Sequence, residues 1–211
     1  MDQAHSFLSS DTLLRRLPAD PSAIALGSIA PLSGRLVEVS GLGGHAGLSI
    51  AMQWVRATQV QQELAAWVQL GPSVPFIPDV AALGIDLKAL PFVIMPTLTS
   101  LMRGAEHLLR SGAFGLVVLD LGCSIGAIKQ RDPQLPMAAL SRILGLAQKH
   151  HTAVVCLTEK SRESPSLGSL VSLRIHSARV GAQVQAEVVK DKHAGPGRQA
   201  AWHFASVPGV R

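Results

Sequence analysis

The sequence predicts an α/β protein: a mostly parallel sheet flanked by helices, with an antiparallel extension at its C-terminal end. Three observations predict it. Short apolar runs, among them "LAAWVQL" (residues 64–70), "GLVVLDLG" (115–122) and "TAVVCLTE" (152–159), alternate with longer segments of helical periodicity. These runs are apolar at successive positions, as strands covered on both faces must be. After Glu159 the pattern changes: "SLVSLRIHSA", "AQVQAEVVKDK" and "RQAAWHFAS" alternate apolar and polar residues at period two, the pattern of half-exposed antiparallel strands.

Residues 6–17 read as a short amphipathic helix, capped by Ser10 or Asp11, with Leu13, Leu14 and Leu17 on its apolar face. Pro18, Pro21, Pro31 and Gly34 then punctuate a linker. Residues 1–33 are therefore an N-terminal helix and linker, and residues 34–211 the core domain. The first core strand covers 35–39. The stretch "SGLGGHAGLS" (40–49) follows it and leads into "IAMQWVRATQ" (50–59), a helix that buries Ile50, Met52 and Val55. The strand at 64–70 comes next, then the Pro-rich "GPSVPFIPD", a short helix near 80–83 and a strand in "LPFVIMP" (90–96). "TSLMRGAEHLLRSG" is a helix with Thr99 as its cap, Leu101, Ala105, Leu108 and Leu109 on its apolar face and Gly112 at its end. The strand at 115–122 contains Asp120 near its end. Residues 136–151 form a helix with Pro136 in its first turn, followed by the strand at 152–159.

Composition narrows the function. Of 211 residues, 47% are apolar and 16% charged, which suits one domain with a sizeable core and excludes a disordered chain. Aromatics make up 4%, with no Tyr, so Leu, Val, Ile and Ala do the packing. No apolar run is long enough to span a bilayer. No basic segment precedes an apolar core at the N-terminus, so neither a signal peptide nor a membrane partner is expected. Cys123 and Cys156 stand in no metal-ligand spacing and suit a reducing cytoplasm, with Cys156 a buried small hydrophobe. The net charge of +5 is compatible with nucleic acid or an acidic partner, but no basic run exceeds Arg15-Arg16. The eight histidines form no metal-ligand set: His45 lies in the glycine loop, His150 and His151 end a helix, and His176 and His193 read as strand-face residues.

A strand, a glycine-rich loop and a helix make the setting of a phosphate-binding loop. Such a loop needs backbone N–H groups at a helix N-terminus, a lysine for the terminal phosphates and a hydroxyl for magnesium. Gly41 occupies the first glycine position. Ala46 falls at the second, Gly47 where the lysine belongs and Leu48 where the hydroxyl belongs, and Ser49 comes one place late. Both the cation and the metal hydroxyl are missing, so no nucleotide cofactor and no catalysis are expected. The glycines serve a tight turn.

The order of the segments resembles the RecA-type ATPase core, and most closely its degenerate bacterial relatives of the ImuA family. The resemblance runs from about residue 34 to about 204. It is carried by "GRLVEVSG", "LGIDLKAL", "LLRSGAFGLVVLDLG", "LVSLRIHSAR" and, most specifically, "AEVVKDKHAGPGRQAAWHF". It implies a RecA-like core. It places Asp120 at the Walker B acid, Pro72 near the position of the acid that activates water, and Glu159 where a γ-phosphate-sensing glutamine usually stands. Proline cannot act as a base, and a carboxylate repels phosphate.

The resemblance also implies that Lys190 and Lys192 match a pair that reaches the ATP of a neighbouring protomer. This protein would then complete a partner's site and cap a RecA filament. The two DNA-contacting loops of the family correspond to residues 123–135 and 160–169, where Lys129, Arg131, Lys160 and Arg162 would touch phosphate weakly; no aromatic platform for stacking accompanies them. The implied function is a non-catalytic accessory role in SOS-induced mutagenesis and translesion synthesis. The implied partners are an ImuB-type polymerase-like protein, RecA and, indirectly, an error-prone replicative-type polymerase, with weak single-stranded DNA binding. Leu13, Leu14, Leu17, Lys190 and Lys192 would form the partner surfaces. A SulA-like inhibitor of cell division and a surviving, weak ATP-dependent DNA-binding protein are the competing readings. Length and the "VVKDK" segment weigh against the first, and the missing lysine against the second.

Overall fold

The apolar runs become the interior strands of a single sheet. A computed structural model of the chain describes residues 14–16, 28–43, 45–72, 75–122, 135–181 and 183–204. Its elements are β1 (Leu14–Arg16), β2 (Leu36–Ser40), α1 (His45–Val60), β3 (Leu64–Leu70), α2 (Ile77–Ala82), β4 (Phe92–Met95), α3 (Leu98–Ser111), β5 (Phe114–Asp120), α4 (Met137–His150), β6 (Ala153–Thr158), β7 (Leu173–Val180), β8 (Gln183–Asp191) and β9 (Gln199–Phe204). The strand order is β1-β9-β8-β7-β2-β6-β5-β3-β4. Strands β2 to β7 pair in parallel. β8 runs antiparallel to both β7 and β9, and β1 antiparallel to β9. The fold is α/β with a mostly parallel sheet flanked by helices and an antiparallel C-terminal extension.

Successive residues of a strand face opposite sides of the sheet, so strands with helices on both sides must be apolar throughout. Val37, Val39, Trp67, Val118, Val155 and Ile175 pack in one core with Ile50, Trp54 and Val55 of α1. Leu36, Val68, Val117, Leu119, Val154 and Cys156 pack in a second core with Leu101 and Leu109 of α3 and Leu140 and Ile143 of α4. Each such side chain, fully buried, contributes about 1.5–3 kcal/mol. Trp67 also meets Phe92 with ring centroids 6.0 Å apart.

Two local expectations are corrected. The cap of α3 is Thr97, not Thr99: its hydroxyl accepts from Ser100 N, and the Ser100 hydroxyl accepts from Thr97 N, which makes a capping box. Gly112 ends this helix at φ 66°, as expected. The N-terminal segment is not helical at Leu14–Arg16, which pair with Trp202–Phe204 as an added strand. An edge strand such as β9 presents unpaired N–H and C=O groups, and satisfying them outweighs the helical periodicity of so short a segment. Leu13 and Leu17 lie outside the described residues, as does Cys123. Among the described residues no helix is long and apolar enough to cross a membrane.

Candidate functional site

Parallel strands direct their carboxyl ends to one edge of the sheet, where the connecting loops of an α/β fold gather. Here that edge carries Ser40 of β2, Thr158 of β6, Asp120 of β5 and Gln69 of β3, with Ser40 opposite Thr158 and Gln69 opposite Asp120 in register. The glycine loop leaves this edge between β2 and α1. Gly41 donates its N–H to Thr158 O at 3.3 Å, and the Ser177 hydroxyl donates to Ser40 O at 3.1 Å. A Cβ on Gly41 would stand 2.4 Å from Ser177 O, so packing against β7 alone demands glycine here. Gly43 turns the chain at φ 78°.

Ala46 and Gly47 are buried in the first turn of α1, and Leu48 packs half-buried against the core. Ser49 accepts a hydrogen bond from Arg179 Nη2 at 2.9 Å, so a protein contact engages its hydroxyl. Leu42, 68% exposed, forms the tip of the loop. Asp120 is buried, and its carboxylate accepts the Gly122 N–H at 3.1 Å, shaping the turn after β5. The Gln69 amide is buried beside it, and its Oε1 meets no donor among the described residues. Pro72, which follows β3, is exposed.

Lys160 is corrected as a phosphate contact. It is 4% exposed, its Nζ lies 3.7 Å from Glu38 Oε1, and it donates to Pro165 O at 3.3 Å. Glu38 is fully buried and gathers the segment 160–169 around itself. Its Oε1 accepts from Thr158 Oγ1 at 3.1 Å, and its Oε2 accepts from Ser166 Oγ and Leu167 N, both at 2.9 Å. Arg174 Nε lies 3.9 Å from Glu38, while the guanidinium donates to Ser40 Oγ, to Ser161 O and to Ser164 O. Charges this deep persist only when paired and hydrogen-bonded. The segment is thereby clasped to the sheet. The hint in the sequence was a lone acid inside the apolar "RLVEV".

Arg162 sits on the outside of the same segment and grips Glu187 in a fork, at 2.8 Å from Nε and 2.6 Å from Nη2. The hydrogen bond from Arg162 holds the Glu187 carboxyl below its ordinary range. Nearby, burial, followed by the Arg174 charge, pushes His176 on β7 down. His193 lies in the turn after β8, not on a strand face. Lys190, near the end of β8, is half-buried, and burial followed by the Lys192 charge pushes its ammonium down. Lys192 in the following turn donates to Ser169 O at 2.6 Å. Lys192 thus touches the clasped segment, and Lys190 stands opposite Arg174 in register. Lys129 and Arg131 lie outside the described residues. Burial raises the Cys156 thiol far above its ordinary value, which keeps it inert. Among the described residues no group of three or more His, Cys, Asp or Glu could hold a metal ion.

No family model matches the chain, and no curated protein matches it significantly.

Proposed function

We propose that this chain is a non-catalytic, RecA-like accessory protein of SOS-induced mutagenesis and translesion synthesis. It acts through protein contacts with an ImuB-type polymerase-like partner and with RecA, whose filament it caps or modulates. The error-prone replicative-type polymerase is reached through that partner. The observation that carries this reading is the glycine loop. It leaves the carboxyl edge of an interior parallel strand, where a phosphate loop would stand, yet Ala46, Gly47 and Leu48 supply neither cation nor metal hydroxyl, and Gly41 serves the contact with Ser177. The central place of β2, with the Asp120 strand two positions away, supports a RecA-like core. Lys190, opposite Arg174 on the antiparallel extension, and Lys192, in the turn after it and bonded to Ser169 O, support a role in contacting a neighbour.

The test is binding to RecA, free and assembled on single-stranded DNA with a slowly hydrolysed ATP analogue, with a DNA-only control at two salt concentrations. Saturable binding that requires RecA and weakens on Lys190→Ala with Lys192→Ala is expected. Binding to neither RecA nor the ImuB-type partner would sink the reading. ATP turnover that vanishes on Asp120→Asn would replace it with a working ATPase.

A further inference from the structure

We infer that the outer face of α3 and α4 is a docking surface for the phosphate backbone of double-stranded DNA, read without regard to sequence. The two helices carry Arg103, Arg110, Arg142 and Lys149 against a single acid, Glu106. Within each helix the two cations are seven residues apart, which sets them on one face about 10 Å from each other. Glu106 joins the helices: Arg142 Nε lies 2.9 Å from one of its oxygens and Arg110 Nη2 3.9 Å from the other. Its side chain is only 12% exposed, whereas those of Arg110 and Arg142 are 61% and 56% exposed. The acid is therefore recessed and orients the two guanidinium groups that stand over it. Arg103 and Lys149 are exposed and have no carboxylate partner among the described residues. The result is a four-cornered array of cations.

The chemistry of the face selects its occupant. A protein partner would need an apolar centre to bury. Yet α3 exposes no large apolar side chain, and α4 exposes only Met137. A single strand would need aromatic platforms, and neither helix contains Phe, Tyr or Trp. What remains is repeated negative charge on a rigid rod. Duplex DNA carries one charge per about 1.7 Å of axis, and arginine forks suit phosphate oxygens. This surface is independent of the accessory-protein reading: no RecA or polymerase partner enters its assay, so either can fail alone.

The experiment is fluorescence anisotropy of a short labelled duplex with the full chain over a salt series. Four phosphate contacts predict a log–log salt slope of about −3 to −4, and so a loss of about a hundredfold between roughly 50 and 200 mM salt. Arg103→Glu with Lys149→Glu is expected to abolish binding, while Arg56→Glu with Lys88→Glu, equal in net charge change, retains it. Should the first pair fail to fold, Arg103→Gln with Lys149→Gln is expected to lower the slope by about two. Four results would overturn the assignment: no duplex binding by the wild type, equal loss in both charge-reversed pairs, tighter binding of a single strand, or displacement by polyglutamate as effective as by unlabelled duplex.

Discussion

Arg35 and Asp191, 156 residues apart in sequence, meet at 2.7 Å beside β7. The guanidinium also donates to Ser172 Oγ and Ser172 O, and Arg198 pairs with the other carboxylate oxygen. Burial pushes the Asp191 carboxyl up, but the His193 backbone N–H and the Arg35 guanidinium outweigh it and hold the group below its ordinary value. Because the folded value lies below the unfolded one, the stabilisation is complete above the ordinary carboxylate range. It is lost as pH falls through the depressed folded value. Asp191→Asn is expected to cost about 3 kcal/mol at neutral pH, since Arg35 stays buried without its counter-charge. Urea unfolding at neutral pH and at about pH 3 checks this: the variant should lose less stability on acidification than the wild type, and an equal loss would speak against the pair.

Glu38 is the second buried anchor. Glu38→Gln leaves Lys160 and Arg174 without their shared carboxylate, and a loss of about 3–5 kcal/mol is expected. The clasp should loosen with it. Hydrogen exchange at Leu167, whose N–H the carboxylate holds at 2.9 Å, should speed up more than exchange in β5. Unchanged exchange there would show that the backbone holds the segment without Glu38.

The glycine loop offers a pair of substitutions of opposite sign. Gly41→Ala sets a methyl 2.4 Å from Ser177 O and forces β2 and β7 apart, at an expected cost of about 1–3 kcal/mol. Gly47→Ala meets only Val39 Cγ1 at 3.5 Å and Ser177 Oγ at 3.7 Å, ordinary contacts, within a helix. It is expected to stabilise by up to about 1 kcal/mol. Thermal midpoints that move in the same direction for both would contradict this account of the loop.

Thr97→Ala removes half of the capping box of α3 and is expected to cost about 1 kcal/mol. Thr99→Ala, two residues further on and exposed, should be neutral by the same denaturation measurement.

Much of the architecture was legible. "LAAWVQL" is β3 residue for residue, and the acid-ended "LVVLD" and "AVVCLT" fall within β5 and β6. These runs are apolar on both faces, and only a covered parallel strand satisfies that. The period-two segments became the antiparallel β8 and β9 and the parallel-paired β7. The candidate site was legible in what it lacks: no lysine or well-placed hydroxyl stands in residues 41–48. The strand at Leu14–Arg16 was not legible, because an edge vacancy on β9 is a property of the finished sheet. Lys160 looked like one more loop cation, since nothing within ten residues of it announces Glu38.

By itself the sequence determined the alternation of strands and helices, the two-sided burial of the sheet and the absence of a lysine from the glycine loop. Each follows from the residue types in one short window. Only the tertiary structure decided that Gly41 is required by Ser177, that Glu38 closes over Lys160 and Arg174, and that Arg35 finds Asp191. Those partners are separated by more than a hundred residues of chain. Their pairing is imposed by the cost of burying a charge or a carbonyl, a cost that exists only once the sheet has removed water from around them.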